Sequence, residues 1–268
     1  MTPHRFILPV GFTLFALFLV LPLVLVIVAA FSPEPTIRFP PTGASLRWFA
    51  EVLSDPVWIH SFFTSLVVAL IVASSCTLAC AAAVVALGPQ RGEVTARRWL
   101  GMLAILPLLL PHVSFGIAML AFSRRHGLGG SLIAIVVAHA VLVLPFAWRP
   151  VVTSFDKLDA QLGNAAMVLG ARPAQAFWTV LLPCLRPGLL TAFIFTFVTS
   201  FDEATVTLFL VGPEVTTLPI RVLIELQQDG SPAVAAASVL MILMTLGVVL
   251  MIEKVTGLAA FAEMERSR

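Results

Sequence analysis

Six apolar runs, each in the length range that carries an α-helix across a bilayer, constrain this chain more than any other feature. They occupy residues 6–31, 61–87, 99–122, 131–148, 188–211 and 233–252. The first is preceded only by His4 and Arg5 and is far longer than the apolar region of a secretory signal, so it reads as a retained span, kinked at Pro22. Charged residues make up 11% of the sequence, apolar residues 59%, and the mean hydropathy is +1.03. In soluble domains charged residues alone come to about a quarter. The expected fold class is therefore all-α, a polytopic membrane protein with six transmembrane helices.

The polar segments between the runs add detail. Pro33, Pro35, Pro40 and Pro41 hold the first of them extended, and Ser45 starts a short amphipathic helix over Leu46–Leu53 that ends near Asp55-Pro56. Trp48 and Trp58 suit a membrane interface. Cys76 and Cys80 stand one helical turn apart inside an apolar run, and Cys184 follows Pro183. With no further ligands near them, the cysteines read as small packing residues and no metal site is expected. The net charge of +2 gives no case for nucleic acid.

Six spans put both termini on one side, and the basic residues choose which. With the N-terminus inside, Arg5, Arg91, Arg97, Arg98, Arg149, Lys157, Arg172, Arg186, Lys254, Arg266 and Arg268 lie inside, while Arg38, Arg47, Arg124, Arg125 and Arg221 lie outside. Eleven against five predicts cytoplasmic termini and a cytoplasmic loop over 149–187. No internal repeat aligns by eye, so an inverted-repeat carrier has no support.

That central loop is the longest polar interruption. Leu158, Leu162, Ala165, Ala166 and Leu169 recur at helical spacing, with Asp156 as N-cap, Gly170 as the left-handed residue that ends the helix, and Pro173 in the first turn of a second helix that stops before Pro183. Small side chains at Ala165 and Ala166 admit another protein surface close to the backbone. Asn164-Ala165-Ala166, three residues, Gly170, nine residues, then Val180-x-Leu182-Pro183 resembles the Glu-Ala-Ala loop of the membrane-spanning permeases of bacterial ABC importers. Asn164 stands where that family usually has Glu, and Val180 where it usually has Ile. Further stretches, among them Leu106-Pro107 with Leu110-Pro111, Ala138-His139, Leu144-Pro145-Phe146, Ser200-Phe201-Asp202-Glu203 and Thr217-Leu218-Pro219-Ile220, are similar to the second permease of spermidine and putrescine importers.

The resemblance implies a MetI-like helical bundle in the bacterial inner membrane, forming half of a translocation pathway. It implies cytoplasmic ATP-binding subunits, two in number, docked on Asn164, Ala165, Ala166, Gly170, Val180, Leu182 and Pro183. It also implies a second related permease and an extracytoplasmic solute-binding protein that meets segments 32–60 and 213–232. Polyamines are the leading solute class, with opine-like compounds and aminophosphonates as alternatives. His112 stands where that subfamily often has an acidic residue. The chain has no Gly-x-x-x-x-Gly-Lys-Ser/Thr phosphate loop, and its only lysines are Lys157 and Lys254, so ATP hydrolysis is assigned to a partner and no cofactor is expected.

Chemistry within the spans is sparse. Asp202 and Glu203 fall about fifteen residues along the fifth run, where ionised carboxylates are costly and usually line a substrate path, the alternative being that one of them pairs with an arginine or hydroxyl group to fix helix packing. Adjacent residues project about 100° apart, so only one can face a pore squarely. His112 and His139 are further candidates for the path, although a lone histidine bonded to a neighbouring helix explains either of them at least as well. Pro107 and Pro111 are expected to bend the third run. Two other classes compete: an intramembrane enzyme built from Asp202, Glu203, His112 and His139, which lacks any fixed catalytic spacing, and an ion-coupled carrier acting alone, which needs no docking loop.

Overall fold

The computed structural model describes residues 4–88, 91–159, 161–228 and 230–266. Among them there is no strand. The helices are α1 (His4–Ala30), α2 (Arg47–Ser54), α3 (Pro56–Leu87), α4 (Arg91–Leu109), α5 (His112–Arg125), α6 (Leu132–Asp156), α7 (Leu162–Val168), α8 (Pro173–Ala176), α9 (Leu182–Phe201), α10 (Thr207–Leu210), α11 (Leu218–Gln228) and α12 (Pro232–Arg266). Five stretches are long and apolar enough to cross a membrane, and a sixth is obtained if the bent pair α4 and α5 is counted as one span. A wide π turn over Phe177–Leu181 joins α8 to α9.

The chain divides into two compact units, residues 1–60 with 221–246 and residues 61–220 with 247–268. In the first, the proline-rich segment after α1 folds back on α2. The Trp48 indole donates to the Ser32 carbonyl at 2.9 Å, the Ser45 amide donates to the Phe31 carbonyl at 2.8 Å, and the Phe31 and Phe49 rings meet at 5.1 Å. Trp48 is 4% exposed and Trp58 3%, so neither tryptophan is free to sit at a lipid interface. Each is engaged instead by protein: Trp58 lies 5.3 Å from the Arg221 guanidinium, which also pairs with Glu225 at 2.8 Å. Asp55 closes α2 and opens α3, its carboxylate accepting from the Val57 amide at 2.7 Å, which is the turn expected at Asp55-Pro56.

In the second unit α6 packs along α9 through small residues. A Cβ built on Gly188 would come within 2.2 Å of the Ser154 Cβ and 2.9 Å of the Pro150 carbonyl oxygen, so the two backbones approach as only glycine permits. Val68, Val72, Cys76, Cys80 and Val84 from α3 complete the core with Ile135, Ala138, Leu142 and Ala147 from α6. Cys76 and Cys80 are buried free thiols among these side chains.

The segment after α6 differs from expectation at two points. Asp156 is not an N-cap: it is the last residue of α6, and its carboxylate pairs with Arg97 of α4 at 3.2 Å. The local turn is made by Asp159, whose Oδ1 accepts from the Gln161 amide at 2.9 Å. Nor does the helix begun at Pro173 stop before Pro183. It runs on through α9, because the π turn widens the backbone where the Pro183 ring would otherwise strike the carbonyl four residues earlier.

Candidate functional site

Two interruptions of helix face each other in the second unit. The first is Leu110-Pro111, where α4 and α5 meet at a 99° bend. Prolines at 107 and 111 remove two amide donors one turn apart, and Pro111 adopts ψ 130, outside the helical range. The second runs from Asp202 to Val206, between α9 and α10. Here the structure corrects the reading of one continuous fifth helix with both carboxylates midway along it.

The physical reason lies in the side chains. Glu203 Oε1 accepts from the Val206 amide at 2.9 Å, and the Thr207 hydroxyl donates to the Glu203 carbonyl at 2.7 Å. Such local bonds compete with the helical ladder and hold a turn without any proline or glycine. Asp202 and Glu203 consequently part company: Asp202 is exposed, whereas the Glu203 side chain is 9% exposed. Glu203 Oε2 lies 4.0 Å from His112 Nδ1, at the first residue of α5, and the His112 side chain is 44% exposed. One turn further on, a Cβ at Gly116 would stand 2.5 Å from the Phe209 ring, so α5 and α10 approach closely. The structure thus brings together His112 and Glu203, while Asp202 is exposed beside them in the chain.

His139 is placed differently. It is 1% exposed, with Nδ1 2.9 Å from Ser200 Oγ and Nε2 2.7 Å from Thr207 Oγ1. Since the Thr207 hydrogen goes to the Glu203 carbonyl, the Nε2–H tautomer completes the chain of bonds, with Nδ1 accepting from Ser200. His139 therefore staples the last turn of α9 to the first residue of α10 across the break. Its partners at 61 and 68 residues' separation carry no spacing signal that a sequence reading can use. Replacing His139 by leucine leaves the Ser200 hydroxyl, in a residue 2% exposed, without its partner. The expected cost is about 1–3 kcal/mol, read as a lower melting temperature in detergent, with asparagine milder than leucine.

The 149–187 segment presents a second surface. The Gly170 amide donates to Met167 and the Ala171 amide to Ala166, closing α7 with Gly170 at φ +94. Val168 is 87% exposed, Leu169 88% and Trp178 64%. Ala165 and Gly170 are exposed, while Ala166, Val180, Leu182 and Pro183 are half-buried. The Asn164 side chain lies outside the described residues. Among the described residues no group of three or more His, Cys, Asp or Glu side chains is placed to hold a metal ion.

Residues 77–255 match the family model described as the binding-protein-dependent transport system inner membrane component. The chain belongs to that family. The family agrees with the resemblance to importer permeases, and the members it resembles are permease subunits. Over 242 residues the chain is 27% identical to the putrescine transport system permease protein PotI of Escherichia coli (strain K12), covering 88% of this chain and 84% of that protein. It is 29% identical to the putative 2-aminoethylphosphonate transport system permease protein PhnV of Salmonella typhimurium, covering 92% of each. The fold matches a chain in the crystal structure of a bacterial ABC transporter involved in the import of the acidic polysaccharide alginate, with a TM-score of 0.67, 18% identity and 95% of both chains covered. The MetI-like all-α fold is thereby established, in an inner-membrane transport family.

Proposed function

We propose that this permease subunit forms half of the pathway for a small organic ammonium solute, polyamines such as putrescine and spermidine first. The observation that carries the solute class is the exposed Asp202 carboxylate at the helix break, beside a Glu203 whose charge is already engaged by a backbone amide and approached by His112. Carboxylates at span depth persist where they serve a solute or ion path. Similarity to a putrescine permease supports the same reading. A second reading, an aminophosphonate, draws on the exposed His112 next to the Glu203 carboxylate, which offers an anion-binding group beside an acidic one, and on the similarity to PhnV.

ATP hydrolysis belongs to two separate ATP-binding subunits seated on the exposed apolar surface of α7 and the residues around Gly170, with a second permease completing the pathway and a binding protein delivering solute. Both termini and the 149–187 segment are cytoplasmic in this reading, on the distribution of arginine and lysine.

The test is uptake of radiolabelled putrescine, spermidine and 2-aminoethylphosphonate in proteoliposomes that hold this chain with its neighbouring permease and ATPase, supplied with the binding protein. ATP-dependent uptake of a polyamine is the expected result. Uptake of 2-aminoethylphosphonate alone selects the second reading. Uptake independent of ATP overturns the importer assembly.

A further inference from the structure

A groove of about 390 Å³ runs between α4 and the C-terminal half of α6, lined by Arg97, Arg98 and Arg149, with Trp148, Met102 and Ile105 forming much of its apolar wall. Among the described residues three guanidinium groups and one carboxylate, Asp156, border it, so that lining carries two positive charges in excess. Arg97 is fully occupied: it pairs with Asp156 at 3.2 Å, donates to the Gly88 carbonyl, lies 5.2 Å from the Phe155 ring and is 6% exposed. Arg98 and Arg149 are exposed, and among the described residues neither has a carboxylate within ion-pair distance. Arg149 also borders a neighbouring cavity of about 540 Å³ that carries Lys157 and no carboxylate.

Away from the arginines the same groove is apolar and open. Met102 is 59% exposed, with Leu103 at 56% and Leu106 at 52% beside it on α4, and Trp99 is 63% exposed one residue after Arg98. Gly101 lets the Trp148 indole close against α4, since a Cβ there would stand 2.7 Å from its ring nitrogen. A bare anion such as phosphate would use the charged end and leave the apolar wall uncovered. A ligand that uses both has an anionic head and hydrocarbon tails.

We infer that this groove binds an anionic phospholipid, with Arg98 and Arg149 holding the headgroup phosphate and the acyl chains lying along Met102 and Ile105. Basic pockets between membrane helices are suited to such headgroups, and each arginine near an anionic lipid surface adds about fivefold in affinity. The lipid bridges α4 to α6 beside the Arg97–Asp156 pair, at the start of the 149–187 segment. This inference is independent of the solute.

Native mass spectrometry of the full-length chain in detergent, titrated with phosphatidylglycerol or phosphatidylcholine, tests it. Phosphatidylglycerol is expected to bind about thirtyfold more tightly than phosphatidylcholine. R98Q/R149Q should abolish that preference, and R124Q/R125Q, at the C-terminus of α5, should retain it. Equal binding of the two lipids, or a preference that survives R98Q/R149Q, overturns the inference. Displacement of phosphatidylglycerol by millimolar inorganic phosphate also overturns it, in favour of a soluble-anion site. Wild-type chain gives a check that does not depend on the variants folding: phosphatidylglycerol with a photoreactive acyl chain should label the peptide over 99–106, and labelling confined to other peptides counts against the site.

Discussion

Gly170→Asp is expected to reduce ATP-dependent uptake by tenfold or more while the chain still inserts, purifies and pairs with its partner permease. Gly170 holds φ +94, a backbone conformation in which an L side chain costs about 1–2 kcal/mol, and it closes α7 by turning the chain towards Pro173. Among the described residues nothing lies within 4 Å of a Cβ built there, so the substitution meets no steric clash with them. Its effect falls on the local turn and on whatever docks beside it. Because Val168 and Leu169 are almost fully exposed immediately before the turn, a new carboxylate also places charge against an apolar surface. A graded series separates the two contributions: asparagine, which tolerates positive φ, should be mildest, alanine intermediate, and aspartate most severe. Uptake and solute-stimulated ATPase activity should fall together. Unchanged uptake with aspartate would remove the 149–187 segment from the coupling role proposed for it.

Gly170 is legible in the sequence because its meaning is local. A glycine after a helical repeat and before Arg172-Pro173 has few conformations open to it, and the same holds for Asp55-Pro56 and for Pro107 with Pro111. The features that the sequence hides are non-local or lack a breaker residue. The end of α9 at Phe201 is set by Glu203 and Thr207 bonding to the turn, and neither residue type is a usual helix-stop signal. The Arg97–Asp156 pair joins residues far apart in the chain, so Asp156 reads in sequence as a cap for its own neighbourhood. Trp48 and Trp58 have the composition of interface residues, but burial against Ser32 and Arg221 decides their environment. For His139 both readings are chemically sound, and only the positions of Ser200 and Thr207 distinguish a staple from a residue open to a path. The fold class is accessible because hydrophobic run length is a bulk property, whereas the site depends on which breaks meet.

The adjacent carboxylates supply the sharpest functional contrast. Asp202→Asn removes the exposed charge while keeping the side chain's size, and among the described residues Asp202 makes no bond on which the turn depends beyond its own amide to Val198. If that carboxylate receives an ammonium group, a charge-assisted bond of about 1.5–3 kcal/mol is lost, which corresponds to roughly 10- to 100-fold in apparent affinity for the solute. Melting behaviour should not change. Glu203 should behave the opposite way, because its oxygen serves the buried Val206 amide. Glu203→Gln retains an amide oxygen for that bond and should keep the fold, whereas Glu203→Ala strands the amide of a residue with no exposed surface, at a cost of about 1–3 kcal/mol. Measuring uptake against solute concentration and thermal denaturation in detergent for the three variants therefore separates two jobs on neighbouring residues. An Asp202→Asn chain with wild-type apparent affinity for the transported solute would take Asp202 out of the path, and a Glu203→Ala chain as stable as wild type would show that the break between α9 and α10 is held by His139, Ser200 and Thr207 without it.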